Sequence, residues 1–318
     1  MFKRLIAAVA LLGIVASASA QQFPSKPLRI IVPFPAGSAT DTVARILAGS
    51  VSQAMGQPVI VDNKAGADGA IAGTEVAKAA PDGYTLLLAT NSPMSVVPVM
   101  RKDPPYDPLK DFTPITDIGR YTFFIVVHPS VPAKTLKELV DYAKANPNKI
   151  NYATGNTTGI VSTALFQSLA GIQMLHVPYK GEPQAITDML ANRVQLIFAS
   201  STTSVPHIRD GKLRAIVTTL PKRSPILPEV PTIAEAGMPE FSIVSWAALF
   251  GPANLPREVT ARLNKEFVAA MGRPDVQAAM EKQAFALSPS SPERLGAYVK
   301  EQLEAYRKVI EATGMKGG

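Results

Sequence analysis

The stretch Leu28-Arg29-Ile30-Ile31-Val32-Pro33-Phe34-Pro35-Ala36-Gly37-Ser38-Ala39-Thr40-Asp41 decides how this chain is read. Its first five residues form an apolar, mostly β-branched run, which predicts a buried strand. Beyond it, Val43, Ile46, Leu47, Val51, Ala54 and Met55 recur at helical spacing and Gly56 supplies a stop, so an amphipathic helix follows. A strand, a loop of small residues and a helix start make an anion cradle. The first N–H groups of a helix have no internal acceptor and carry partial positive charge. Ser38 and Thr40 add hydroxyls, and Gly37 lets a ligand approach the backbone. The same residues would serve an ordinary βα turn with a Ser or Thr cap.

The arrangement recurs further along. Ile150-Asn151-Tyr152-Ala153 reads as a strand, Thr154-Gly155-Asn156-Thr157-Thr158-Gly159 as a loop, and Ile160 to Ala170 as a helix. If the two loops face one cleft, two helix dipoles converge on a single anion. Otherwise they are two unrelated helix starts.

Working outward, Pro58 to Asp62 and Tyr84 to Ala89 are further apolar strands, separated by a helix from Ala70 to Ala79. Strands that are apolar on both faces and alternate with helices predict a parallel sheet between helix layers. Asn91 lies just past the third strand, where open α/β sheets bind ligands, and is a pocket candidate or a turn residue. The proline-rich passage from Asp103 to Pro108, and on through Asp111 to Pro114, reads as ordered loop. Phe123 to Val127 is a strand at the crossing into a second domain. There Thr135 caps a helix, Val194 to Phe198 is a buried strand with Ser200 just past its end, and Arg214 to Thr218 is another strand. Lys222 to Pro231, with three prolines, suits a return linker. Ser242 to Phe250 then crosses back and brings Trp246, the only tryptophan, near the interdomain cleft, if it is not simply core. Helices from Arg257 to Met271 and Pro292 to Ala312 are expected to pack on the first domain. The organisation is thus a leader at 1–20, a first lobe at 21–122 and 231–318, and a second lobe at 123–230.

The leader follows from Lys3 and Arg4, the apolar run Leu5 to Val15, and Ala18-Ser19-Ala20. These are the three parts of a signal peptide, cleaved after about Ala20, and the run is too short to span a bilayer. The product is expected in the periplasm. Losing Lys3 and Arg4 lowers the formal charge from +7 to +5. The remaining charges are scattered, which argues against a nucleic-acid partner. With no cysteine, disulfides, zinc thiolates and a thiol nucleophile are excluded.

Enzyme signatures are missing. There is no G-x-S-x-G, no G-x-x-x-x-G-K-[ST] and no H-E-x-x-H. His128, His176 and His207 are far apart, and two of them adjoin a proline, so structural roles are expected and no metal or cofactor is. Asp41 would serve as a base or, as an acid in a helix's first turn, as a partner of the dipole.

Further blocks carry a family resemblance: Ala79-Ala80-Pro81-Asp82-Gly83-Tyr84-Thr85-Leu86, Val127-His128-Pro129-Ser130, His176-Val177-Pro178-Tyr179-Lys180-Gly181, Pro206-His207-Ile208, Arg223-Ser224-Pro225, and Val230-Pro231-Thr232-Ile233-Ala234-Glu235-Ala236-Gly237. With Ile31 to Gly37 and Thr40-Asp41, they make the mature chain resemble the Bug family of periplasmic solute-binding receptors, the extracytoplasmic components of tripartite tricarboxylate transporters. The resemblance implies a type II periplasmic-binding-protein fold, two α/β lobes with a central interdomain cleft that close on a small carboxylate. It implies a first binding loop of Phe34, Ala36, Gly37, Ser38, Thr40 and Asp41, and a second around Thr154, Asn156, Thr157 and Thr158. Asn91, Ser200 and Trp246 complete the candidate site.

Departures from the family pattern bear on the ligand. Many relatives have glycine where Ser38 stands, and an Asp-Asn pair is common where this chain has Ala199-Ser200. That loss of polar groups leans towards a plain or partly apolar acid rather than an amino acid. The expected partners are a small organic acid and membrane permease subunits, with the receptor itself a monomer. The other readings are an exported hydrolase using a loop serine, and a co-receptor presenting its ligand to a sensor kinase. Valine at Gly37 is expected to fill the cradle.

Overall fold

The computed structural model describes residues 23–241 and 243–314. The leader and its cleavage site lie outside them. Two sheets, each flanked by helices, form two lobes. The first is built from β1 (Leu28–Val32), β2 (Val59–Asn63), β3 (Thr85–Thr90), β4 (Phe112–Tyr121), β10 (Trp246–Pro252) and β11 (Phe285–Leu287), in the order β11-β4-β10-β3-β1-β2. The second contains β5 (Phe123–Val127), β6 (Asn151–Thr154), β7 (Leu175–Pro178), β8 (Leu196–Ser200) and β9 (Arg214–Thr218), in the order β7-β6-β8-β5-β9. One plan is used twice. In each lobe three strands run mutually parallel, and a strand arriving from the other lobe inserts antiparallel beside them: β10 against β3, β5 against β8. The expected parallel sheet therefore holds for β1–β3, with a second parallel set at β6–β8, and the remaining strands make both sheets mixed.

Helices begin at the C-terminal ends of parallel strands or just beyond, among them α1 (Ala39–Met55) after β1, α5 (Thr157–Ala170) after β6, and α6 (Glu182–Leu190) after β7. Between the first two come α2 (Ala70–Ala77), α3 (Val97–Met100) and α4 (Leu136–Ala145), and α7 (Ser201–Arg209) follows β8. Ending the chain are α8 (Arg257–Met271), α9 (Pro274–Lys282) and α10 (Pro292–Ala312).

The proline-rich reading of Asp111 to Pro114 needs correction, because β4 starts at Phe112. Pro114 is tolerated because the register against β10 shifts beside it and β11 pairs only with Gly119 to Tyr121. Proline fits a strand where a bulge or an unpaired side removes the need for its N–H.

The chain crosses between lobes at Tyr121-Thr122-Phe123 and again around Val244-Ser245, side by side, with the Tyr121 N–H donating to the Ser245 carbonyl at 3.0 Å. Ile233, Met238, Phe241 and Ile243 pack in the second lobe's core, so the return lies later than residue 231. The C-terminal helix is also placed differently from expectation. Leu295, Val299 and Leu303 of α10 pack in the first lobe, but Tyr306 and Ile310 pack in the second. It is a third tie between the lobes.

Candidate ligand-binding site between the lobes

Between the lobes lies a small cavity, open to solvent, where three helix starts meet. Ser38, Ala39 and Thr40 at the start of α1 face Asn156 and Thr158 at the start of α5, and Gly181 and Glu182 at the start of α6. The aromatic rings of Phe34, Tyr121 and Phe123 complete the wall.

On the first lobe, Ser38 caps α1 by accepting the Asp41 N–H at 3.3 Å. The buried Asp41 carboxylate accepts from the Gly37 N–H at 3.0 Å, from Arg45 Nε at 3.0 Å and from Asn63 Nδ2 at 3.0 Å. Burial pushes this acid up, but Arg45, Gly37 and Asn63 together outweigh it and hold the carboxyl below its usual range. Asp41 therefore shapes the loop rather than facing a ligand. Among the described residues the N–H groups of Ala39 and Thr40 meet no acceptor. These two are the donors the loop offers, with Gly37 N–H already taken.

Gly37 has φ +79° and a Cβ there would meet nothing within 4 Å. Gly37 is not among the residues that line the cavity, and what it supplies is a left-handed turn. Gly37→Ala is expected to cost about 1–2 kcal/mol, seen as a fall of a few degrees in the thermal midpoint without ligand.

On the second lobe, Asn156 caps α5 by accepting the Gly159 N–H at 2.8 Å, so this helix begins at Thr157 rather than Ile160. Thr158 meets the first lobe directly: its N–H donates to Ser92 Oγ at 3.1 Å and its hydroxyl lies 3.0 Å from the same oxygen. Gly181 lies so close to Pro35 that a Cβ would come within 2.8 Å of the proline ring. The lobes are in contact.

The tripartite tricarboxylate transporter family receptor model matches residues 43–315. The chain belongs to that receptor family. It is 33% identical to Protein BugT of Bordetella pertussis over 311 residues, 97% of this chain and 95% of that one. Rpa4515 of R. palustris, solved with adipate, superposes with a TM-score of 0.89 at 31% identity, covering 92% of this chain and 98% of that one. MatC from Rhodopseudomonas palustris, solved with bound malate, gives 0.86 at 29% identity, covering 91% and 100%. The receptor is thus a solute-binding protein of the Bug type with the two-lobed periplasmic-binding-protein fold.

Of the residues expected in the site, Phe34, Ser38, Thr40, Asn156 and Thr158 line the cavity, and Ala36, Gly37, Asp41, Thr154, Thr157, Asn91, Ser200 and Trp246 do not. Thr154 Oγ1 is engaged by His176 Nε2 at 2.6 Å, and the Thr157 hydroxyl is buried without a partner. Trp246 is wholly buried in the first lobe's core, edge-on to Tyr298. Its position on β10 is next to the crossing, but strand alternation turns the indole away from the cleft. Asn91 is also wholly buried. Its Nδ2 donates to the Val244 carbonyl at 2.9 Å and to Tyr306 Oη at 2.7 Å, and its Oδ1 accepts the Trp246 N–H at 2.8 Å. It joins a strand end, a crossing segment and α10.

Sequence reasoning missed Tyr121 and Glu182. Tyr121 ends β4, a strand whose mixed polar composition does not announce it, and its hydroxyl donates to Thr40 Oγ1 at 3.1 Å. Glu182 stands between Gly181 and Pro183 at a helix start, where an acid ordinarily complements the dipole. Nothing local signals that it is buried. Its Oε2 accepts from the Ser200 N–H at 3.1 Å, the Ser200 hydroxyl at 2.7 Å and the Thr203 hydroxyl at 2.8 Å. Ser200 thus acts behind the wall, holding Glu182. Burial pushes the Glu182 carboxyl up, and the Ser200 and Thr203 bonds offset this only partly.

A carboxyl raised on folding means that the native state binds more protons than the unfolded one, so stability falls as pH rises above its ordinary value of 4.5. Glu182→Gln removes that loss. The midpoint difference between variant and receptor is expected to grow in the variant's favour from pH 4.5 to 8, as read by calorimetric melts across that range.

Proposed function

We propose that this receptor works in the periplasm, capturing a small organic carboxylate between its lobes and presenting the closed form to permease subunits of a tripartite transporter. One observation carries the reading. The cavity gathers three helix starts, with N–H groups at Ala39 and Thr40 that no protein acceptor claims. Such groups bind anions without a cationic side chain. Among the described residues neither lysine nor arginine lines the cavity. The hydroxyls of Ser38, Thr40 and Thr158 and the amide of Asn156 supply further contacts, directly or through water. Adipate and malate, bound by the two structural neighbours, give the ligand class its scale.

The reading is binding rather than turnover. Ser38 is spent on its cap, Ser200 is wholly buried against Glu182, and His176 is paired with Thr154. No serine of the site is set against a histidine base, as nucleophilic hydrolysis needs.

Thermal shift across mono-, di- and tricarboxylic acids, amino acids and their methyl esters tests the proposal. Stabilisation by at least one acid, and loss of it in the ester, is the expected result, since binding to the folded state alone raises stability. No shift with any acid overturns the reading, and release of product from a bound ester would favour the hydrolase.

A further inference from the structure

We propose that the ligand carries a protonated amine as well as its carboxylate, and that Glu182 receives that amine. This rests on the carboxylate reading above and specifies the chemistry of the ligand's other end.

Glu182 lines the cavity yet is only 7% exposed. All three of its protein hydrogen bonds converge on Oε2. Among the described residues none reaches Oε1, so the carboxyl is fixed in orientation with one oxygen unclaimed. A buried carboxylate needs a counter-charge, a donor or a proton. Among the described residues the wall holds no lysine or arginine to supply a counter-charge, and the Tyr121 hydroxyl is directed to Thr40 instead. Ser200 and Thr203 satisfy Oε2 alone, which leaves Oε1 for a proton or for a positive group that the ligand brings.

The rest of the wall fits the same chemistry. Phe34, Tyr121 and Phe123 line the cavity with Glu182, and aromatic faces attract an ammonium through their quadrupole. A second carboxylate on the ligand would instead sit beside Glu182 in a poorly screened space, where like charges repel strongly. The two lobes thus present complementary ends. The first offers the Ala39 and Thr40 N–H groups to an anion, and the second offers a carboxylate to a cation. The absence of an acid at Ala199-Ser200, which argued against an amino acid, is made good one helix away: Ser200 holds the acid that stands at position 182.

Titration calorimetry of the purified receptor at pH 7.5 with matched pairs decides it: L-aspartate and succinate, L-glutamate and glutarate, 2-aminoadipate and adipate, L-phenylalanine and 3-phenylpropionate. In at least one pair the amine-bearing member is expected to bind tenfold or more tightly than its partner. Glu182→Gln should weaken that member at least tenfold while leaving the amine-free partner equal or tighter. If every pair that binds favours the amine-free acid or shows no preference, the proposal is overturned and the carboxylate reading stands. If no acid of either kind binds, both fall. Should the glutamine variant not fold, the paired comparison on the unaltered receptor decides alone.

Discussion

Asn91→Ala is expected to lower the thermal midpoint by roughly 10 °C, the scale of a loss of about 3–5 kcal/mol in a chain of this size. The cause is local and countable. Removing the amide leaves the Trp246 N–H, the Val244 carbonyl and the Tyr306 hydroxyl without their partner in a fully buried place. Each such orphan costs about 1–3 kcal/mol, softened by relaxation. Tyr306→Phe removes one of the same bonds with no large cavity and should cost about 1 kcal/mol. Calorimetric melts of the two variants, without ligand, check the ranking. If Asn91→Ala melted like the unaltered receptor yet lost its ligand, Asn91 would be a ligand contact after all, and the site described here would be wrong.

Gly181→Val is expected to weaken ligand binding by about 10- to 100-fold, with the ligand-free melt nearly unchanged. Gly181 has φ −176°, extended backbone that any residue adopts, so no conformational strain is added within the second lobe. The effect comes from across the cleft. A Cβ at this position would stand 2.8 Å from both Cγ and Cδ of Pro35, a rigid ring on the opposite lobe. Overpacking of this kind costs about 1–3 kcal/mol, and the open form escapes it by keeping the lobes apart. Binding draws on closure, so the cost appears as lost affinity. Calorimetry gives the affinity and small-angle scattering with saturating ligand gives the compaction, which should shrink in the variant. Pro35→Ala added to Gly181→Ala should restore part of the affinity, a coupling that only a direct contact produces.

Strand and helix identity were legible where the local signals agreed. In the first cradle, β1, the Ser38 cap and α1 each follow from composition, spacing and cap chemistry within a few residues. The second cradle was equally plain, apart from three residues at the start of α5. β4 was not, because Pro114 and its polar residues are accommodated by a bulge and by pairing with a strand more than a hundred residues later. The site divides in the same way. Ser38, Thr40, Asn156 and Thr158 were readable because a cradle's own loop carries them to the cavity. Tyr121, Phe123 and Glu182 reach it only through the relation between lobes. Asn91 and Trp246 lie beside the cleft in sequence terms, yet their side chains point into buried joints, and orientation at a crossing depends on contacts that local spacing does not record.

Because α10 lends Leu295, Val299 and Leu303 to the smaller core cluster of the first lobe and Tyr306 and Ile310 to the main core of the second, neither lobe is fully packed until the last helix has been synthesised. Strands β5 to β9 are complete by Thr218, yet they must wait nearly another hundred residues for the side chains that seal them. A nascent chain built this way cannot seal its second lobe, or join that lobe firmly to the first, until the C-terminal helix is available to both.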